Sequence, residues 1–301
     1  MGVGFMYNQQ MLNLFAWIRD YNSGKDNEEK VRIYGCDMRA PQKTAMKLIQ
    51  CLQSVGVRDI DLEEKLTWLS KRLPRNTLNL EEKDTLLAKV KKLRSFSTLF
   101  EVGFERKKYE LHTRLIEQYV NYNTSKNAML LREEYMAENC FSIIGLEEGK
   151  KAIVSSHNVH IAEESGFYGH ATMGKYISER LRGNYYCLAT SFAKGSFRAV
   201  DMNEQKKAII HFDAPHKKSH DLLFSNCRYP NFFLDFNSLS ETELRIELSK
   251  AKDFWSIGEA YFSLKRSAVK QSLTNNYDGI IFIQETSPPS QLSWDLIDRQ
   301  F

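Results

Sequence analysis

Apolar residues recur along much of the chain at the spacing of amphipathic helices. Residues 9–22 carry apolar side chains three and four positions apart, and the polar Asn-Ser-Gly sequence at 22–24 ends the pattern. A second helical run, 42–50, follows Pro41, a residue that is favoured in the first turn of a helix. The pattern therefore predicts one helix at 9–22 and another at 42–50.

The middle of the chain is rich in leucine at helical spacing and almost free of glycine. Residues 60–122 show this pattern, interrupted at Pro74, and they predict two or three antiparallel helices. Residues 127–145 predict a further helix that ends at Gly145, a plausible C-cap. We therefore expect a helical subdomain within a larger fold.

Short apolar runs bounded by polar residues or glycine predict strands elsewhere. They lie at 31–35, 152–154, 185–189, 208–212, 231–236 and 279–283. Phe192–Arg198 contains a Gly-Ser pair and is interpreted as a loop, either an ordinary one or one whose backbone approaches a ligand. The alternation of strands and helices predicts an α/β fold: a mixed, mostly parallel sheet flanked by helices, with a helical subdomain inserted. The predicted core is 1–50 and 125–301, and the predicted subdomain is 51–124.

Two histidines and an amide follow the predicted strand at 152–154. In an open α/β sheet, ligands bind outside the carboxyl ends of the strands. His157, Asn158 and His160 would lie at such an end. An amphipathic helix is predicted after them, with Met173 at its start.

Asp37 and Arg132 are two further candidates. Asp37 follows the predicted strand at 31–35, although capping the next helix would explain it equally well. Arg132 shares a helix face with Met136 and Asn139, because these residues are four and three positions apart. A polar side chain turned into the protein needs a partner, so this face indicates either a site or internal hydrogen bonding.

Four chemical interpretations of the histidine pair remain open on its spacing alone. The first is general acid–base catalysis, because histidine titrates near neutral pH. The second is metal ligation, completed by Asp37 or Glu163. The third is support of a nucleophile, although the sequence contains no GxSxG elbow. The fourth is a structural role, with each ring bonded to neighbouring backbone.

The composition of the chain limits which class of protein it belongs to and which kinds of partner it binds. The chain has 301 residues, of which 42% are hydrophobic, and a formal net charge of +4, which is too balanced to indicate a nucleic-acid or membrane partner. Its five cysteines form no CxxC pair and suit reduced residues of a cytoplasmic protein. The sequence shows no apolar run of membrane-spanning length and no signal-peptide pattern at its start.

Several segments, taken in order, resemble the erythromycin esterase family, including its succinoglycan-biosynthesis-like members. They are LFAWIRDYN (14–22), VRIYGCDM (31–38), REEYMAEN (132–139), KAIVSSHNVHIA (151–162) and MGKYISERLRGNYYCLATSFAKGSF (173–197). The resemblance implies an α/β protein with a helical subdomain. It also implies a cofactor-free and metal-independent enzyme in which a histidine activates water to open a macrolactone ester, an activity that confers antibiotic resistance.

The resemblance also implies the roles of individual residues. His157 and His160 would be catalytic, and Asp37, Arg132 and Asn158 would contact a small-molecule ester or macrolide.

The family's Gly-Glu-x-x-His motif, which carries its presumed base, has no counterpart here, because Gly258-Glu259 is not followed by a histidine three residues on. A non-catalytic, truncated homologue that binds ligand and a metal-dependent hydrolase using the histidine pair are therefore the alternatives. If sheet strands are missing, we expect an exposed edge and a homo-oligomer.

Overall fold

The computed structural model describes residues 8–72, 77–164, 169–240 and 242–292. Within them the chain forms two compact units, a helical unit at 34–155 and a sheet unit at 8–33 and 156–292. The predicted interruption at Pro74 lies outside the described residues. The predicted subdomain, 51–124, lies wholly inside the helical unit, and its bounds as a domain stay a prediction.

Ten α-helices are found in the described residues. They are α1 (Gln9–Asn22), α2 (Pro41–Ser54), α3 (Ile60–Ser70), α4 (Leu80–Ser95), α5 (Phe104–Thr124), α6 (Ala128–Leu146), α7 (Asn158–Ile161), α8 (Met173–Leu181), α9 (His220–Ser225) and α10 (Glu243–Ser249). The described residues also form seven strands: β1 (Leu188–Asp201), β2 (Lys206–Phe212), β3 (Asn231–Asp235), β4 (Lys252–Trp255), β5 (Ala260–Tyr261), β6 (Ala268–Gln271) and β7 (Gly279–Thr286).

The helical unit is built from α2 to α6, as the leucine spacing predicts. Its fully buried side chains come from the inner faces of these helices and include Leu48, Leu52, Leu62, Leu66, Leu69, Leu86 and Leu93. Burying one such leucine contributes about 1.5–3 kcal/mol, so this leucine core stabilises the unit. A capping box at the start of α4, in which Asn79 and Glu82 each accept the other's backbone N–H, fixes where that helix begins.

The main sheet of the sheet unit has the strand order β2-β1-β7-β3, with β5 also paired to β1. The pairs β1–β7 and β1–β5 are parallel, whereas β1–β2 and β3–β7 are antiparallel. A mixed sheet flanked by helices is therefore confirmed. The expected parallel majority is not found in the described residues, because the main sheet has two parallel and two antiparallel pairings. Strands β4 and β6 form a separate antiparallel pair.

Two predicted strands are absent from the described residues. Residues 31–35 and 152–154 have no strand pairing, and Ile153 is 99% exposed. An apolar run becomes a strand only where a neighbouring strand accepts its backbone hydrogen bonds, and no described strand pairs with either segment. Asp37 and His157 therefore do not follow strands.

The segment 192–198, which was predicted to be a loop, belongs to β1, and its glycine has a packing role there. Gly195 lies inside β1 at φ 116°, and a Cβ there would overlap the backbone carbonyl of Thr286 in β7. The glycine permits close approach of two strands, and it does not turn the chain.

Gly145 is also not the predicted C-cap, because α6 continues through it to Leu146. Left-handed residues follow at Glu148 and Gly149, where the helix has ended.

Candidate active site

The histidine pair lies on α7, a single helical turn in the sheet unit. His157 is its N-cap, and its Nδ1 accepts the backbone N–H of Val159 at 3.3 Å. A helix of four residues has too few internal hydrogen bonds to be stable alone. The position of both histidines is therefore set by contacts between α7 and the rest of the sheet unit.

Both ring nitrogens of His157 contact backbone groups. Because Nδ1 accepts a hydrogen bond, we assign the proton to Nε2, which donates to the carbonyl of Ile257 at 2.9 Å. Burial lowers the pKa of His157 and the adjacent His160 lowers it further, while the Ile257 carbonyl opposes both effects. His157 is thus a neutral ring held in one orientation at neutral pH.

Asn158 attaches α7 to the edge of β1. Its Nδ2 donates to the carbonyl of Thr190 at 2.7 Å, and its Oδ1 accepts the N–H of Thr190 at 3.1 Å. Strand β7 occupies the other edge of β1 here, and β2 pairs with β1 only from Gly195 onward. The side-chain amide therefore stands where a neighbouring strand would pair.

The carboxyl end of α7 is held by side chains from the residues just before β1. The carbonyl of Ile161 accepts from the Tyr185 hydroxyl at 2.8 Å and from the Cys187 thiol at 3.0 Å. Gly174 of α8 packs against the same carbonyl so closely that a Cβ would overlap it. These contacts give hydrogen-bond partners to the carbonyl at the end of α7, which has none within so short a helix.

His160 lies half-buried beside His157. The two ring centroids are 6.4 Å apart and the rings are nearly perpendicular, at 74°. Both nitrogens of His157 are bonded to backbone groups, so neither is available to a ligand while these bonds persist.

In the helical unit, Asp37 and Arg132 form an ion pair. Asp37 Oδ2 lies 3.0 Å from Arg132 Nη2, and Arg39 Nε contacts the same oxygen at 2.9 Å. Burial would raise the pKa of Asp37, but the two arginines outweigh it and hold the pKa below its ordinary value. The N-cap interpretation of Asp37 is wrong, because Ala40 occupies that position in α2 without a side-chain cap.

The predicted inward face of α6 is confirmed. Arg132, Met136 and Asn139 are all buried, and Asn139 Nδ2 donates to the carbonyl of Cys36 at 2.8 Å and to Gln118 Oε1 at 2.9 Å. Arg132 and Asn139 thus hold the segment before α2 through Asp37 and Cys36. Their inward polarity has an internal explanation, and the contact of Arg132 with a substrate stays a prediction.

Several residues that position the histidines are not evident from the sequence. Ile257 and Thr190 act through backbone groups, which no residue type reveals. Tyr277 is buried, and its hydroxyl lies 3.4 Å from the carbonyl of Asn158. Gly258 packs against the His157 ring, and a Cβ added to this glycine would lie 3.7 Å from Nε2, in van der Waals contact. Of these residues, only Gly258 stood out in the sequence, as part of the Gly-Glu pair at 258–259. That pair gives no indication that the glycine packs against His157.

Neither a metal cluster nor a membrane helix is found where the chain is described. Among those residues no three His, Cys, Asp or Glu side chains converge as metal ligands would. In the same part of the chain, no helix combines the length and the apolar character needed to cross a bilayer.

Comparison with known proteins identifies similar folds. The model of the family described as erythromycin esterase matches residues 3–286. A crystal structure of a Bacillus cereus protein is similar with a TM-score of 0.83 at 20% identity, covering 95% of this chain and 74% of that one. A succinoglycan biosynthesis protein is similar with a TM-score of 0.78 at 20% identity, covering 95% and 72%.

A mutant erythromycin esterase in its open conformation has a TM-score of 0.63 at 14% identity, covering 93% of this chain and 74% of that one. At these identities the structural matches show a shared fold. No curated protein sequence matches the chain with statistical significance.

Proposed function

Because the chain belongs to the erythromycin esterase family, we propose that it is a hydrolase that opens a macrolactone or a related small-molecule ester. The observation that carries this proposal is the histidine pair on α7, in which a fixed neutral His157 lies 6.4 Å from His160, centroid to centroid. In this proposal both histidines serve catalysis, with unequal roles.

In the proposed reaction, His160 accepts a proton from water as the water oxygen attacks the ester carbonyl. The carbonyl carbon then releases the alcohol oxygen, which takes a proton back from His160, so that water and ester become acid and alcohol. His160 becomes a cation during this step. A neutral His157 beside it avoids the repulsion that a second imidazolium would cause.

The other predicted site residues enter as separate proposals. We propose that Asn158 orients α7 and that Asp37, with Arg132, contacts polar groups of the substrate. The position of the Asp37 carboxylate, held by Arg132 and Arg39, supports this role, because an ionised carboxylate can accept further hydrogen bonds. Replacing Asp37 with Asn should then raise KM more than it lowers kcat.

The proposal is tested by incubating purified protein with erythromycin and following ring opening by mass spectrometry. We expect addition of one water molecule, and its loss in His160→Ala. His211→Ala is the matched control, because His211 is exposed on β2. No turnover by the unmodified protein would refute the proposal for this substrate.

Two further measurements distinguish the alternatives. A rise in melting temperature with erythromycin but no turnover would indicate a binding protein, since a ligand that binds only the folded state stabilises it. Activity that is lost with chelator and restored by a divalent metal would indicate the metal-dependent hydrolase.

We also propose that the protein acts in the cytoplasm and confers macrolide resistance. Its expression in a susceptible bacterium should raise the inhibitory concentration of erythromycin, and expression of His160→Ala should not. Light scattering would test the proposed homo-oligomer.

A further inference from the structure

Cys36 and Cys140 lie together in the helical unit. Cys36 is half-buried in the irregular segment before α2, and Cys140 is buried on α6. Asn139, the residue before Cys140, donates its Nδ2 to the carbonyl of Cys36 at 2.8 Å. This bond holds the backbone of Cys36 against the turn of α6 that carries Cys140, which places the two thiols near enough to shift each other's pKa.

The two thiols differ in reactivity. Contact with Cys140 lowers the pKa of the Cys36 thiol, although its burial and the charge of Asp37 oppose this effect. Contact with Cys36 and burial both raise the pKa of Cys140. The more accessible cysteine is therefore also the one that more readily forms the nucleophilic thiolate.

We propose that Cys36 and Cys140 form a reversible disulfide when the protein meets a small disulfide oxidant such as oxidised glutathione. The Cys36 thiolate attacks one glutathione sulfur and expels a glutathione thiolate, which leaves a mixed disulfide on Cys36. The Cys140 thiol then passes its proton to the expelled glutathione thiolate, attacks the Cys36 sulfur and expels the second glutathione as a thiolate. Two electrons pass from the cysteine pair to glutathione disulfide, and excess reduced glutathione reverses the step.

The disulfide would act on the segment that carries Asp37. It would add a covalent bond to the hydrogen bond between Asn139 and Cys36 and to the ion pair between Asp37 and Arg132. Such a bond constrains the unfolded chain, so the oxidised protein should melt at a higher temperature than the reduced one. The proposal does not depend on hydrolase activity.

The test begins with the reduced, folded protein in oxidised glutathione. After free thiols are alkylated, the protein is digested and examined by mass spectrometry. We expect a peptide cross-linked between Cys36 and Cys140, which dithiothreitol removes. Cys140→Ser should stop at the mixed disulfide on Cys36, and the control Cys227→Ser, which replaces an exposed cysteine, should still form the cross-link.

A reaction of the urea-unfolded chain shows whether the fold brings the thiols together. The cross-link should form about tenfold faster or more in the folded protein, because the fold raises the effective concentration of one thiol near the other. A folded protein that forms it no faster than the unfolded chain would overturn the proposal. So would a wild-type protein in which Cys36 stays a free thiol or pairs with another cysteine.

Discussion

Replacing Asn158 with alanine should destabilise the sheet unit and release α7 from β1. The side-chain amide of Asn158 satisfies both backbone groups of Thr190, at 2.7 and 3.1 Å. Alanine removes this pair of hydrogen bonds and puts no polar atom in its place. The N–H and the carbonyl of Thr190 would then lack partners on the edge of β1 that faces α7.

The expected loss of stability follows from the free-energy cost of leaving polar backbone groups without hydrogen-bond partners. A buried backbone donor or acceptor left without a partner costs about 1–3 kcal/mol. Thr190 is exposed on its side-chain face, so water can partly replace the lost bonds and the lower part of that range applies. For the two groups together, we expect the free energy of unfolding to fall by about 2–4 kcal/mol.

Urea denaturation followed by circular dichroism measures this change. Asn184→Ala is the matched control, because the Asn184 amide makes one exposed 3.2 Å bond to the carbonyl of Leu181. The control should stay within about 0.5 kcal/mol of wild type. If Asn158→Ala also stays within that margin, the amide does not anchor α7 and the argument is wrong.

Three other changes test the packing and the charges. Gly174→Ala should cost about 2 kcal/mol or more in denaturation, since a Cβ would overlap the carbonyl of Ile161; the matched Gly145→Ala, with open space around it, should be neutral or slightly stabilising. Burial raises the pKa of Asp221 to about 7, so the folded state keeps a proton that the unfolded state loses near pH 4. Stability should therefore fall as pH rises from about 4 to about 7. Asp221→Asn should reduce this pH dependence in thermal melts recorded across that range. The pKa of Asp37 is lowered instead, so its contribution should be present above about pH 4 and disappear as pH falls below that value; the stability difference between wild type and Asp37→Asn should shrink accordingly.

The helices could be predicted from sequence because their signal is local. The predicted helices at 9–22 and 42–50 correspond to α1 and α2, and the leucine-rich segment at 60–122 forms three helices. Apolar residues three and four positions apart define a buried face wherever the partner lies. The inward face of α6 was predictable for the same reason, including its buried Arg132.

The strands were less predictable because pairing is not local. Residues 152–154 and 279–283 are both short apolar runs, yet only the second lies in a sheet, as part of β7. Nothing within an apolar run states whether another strand lies beside it. Gly195 shows the same limit of sequence-based prediction, because the residue that requires a glycine there, Thr286, is distant in sequence.

The division of labour proposed for the histidine pair has the same non-local origin. Residue type does not distinguish His157 from His160, and the backbone bonds that fix the His157 ring, to the carbonyl of Ile257 and the N–H of Val159, are not visible in the sequence. Asn158 joins this arrangement to β1, so the orientation of both rings depends on the sheet. Asn158→Ala should therefore lower kcat of the proposed hydrolysis even with His160 intact, under conditions in which circular dichroism shows the variant to be fully folded.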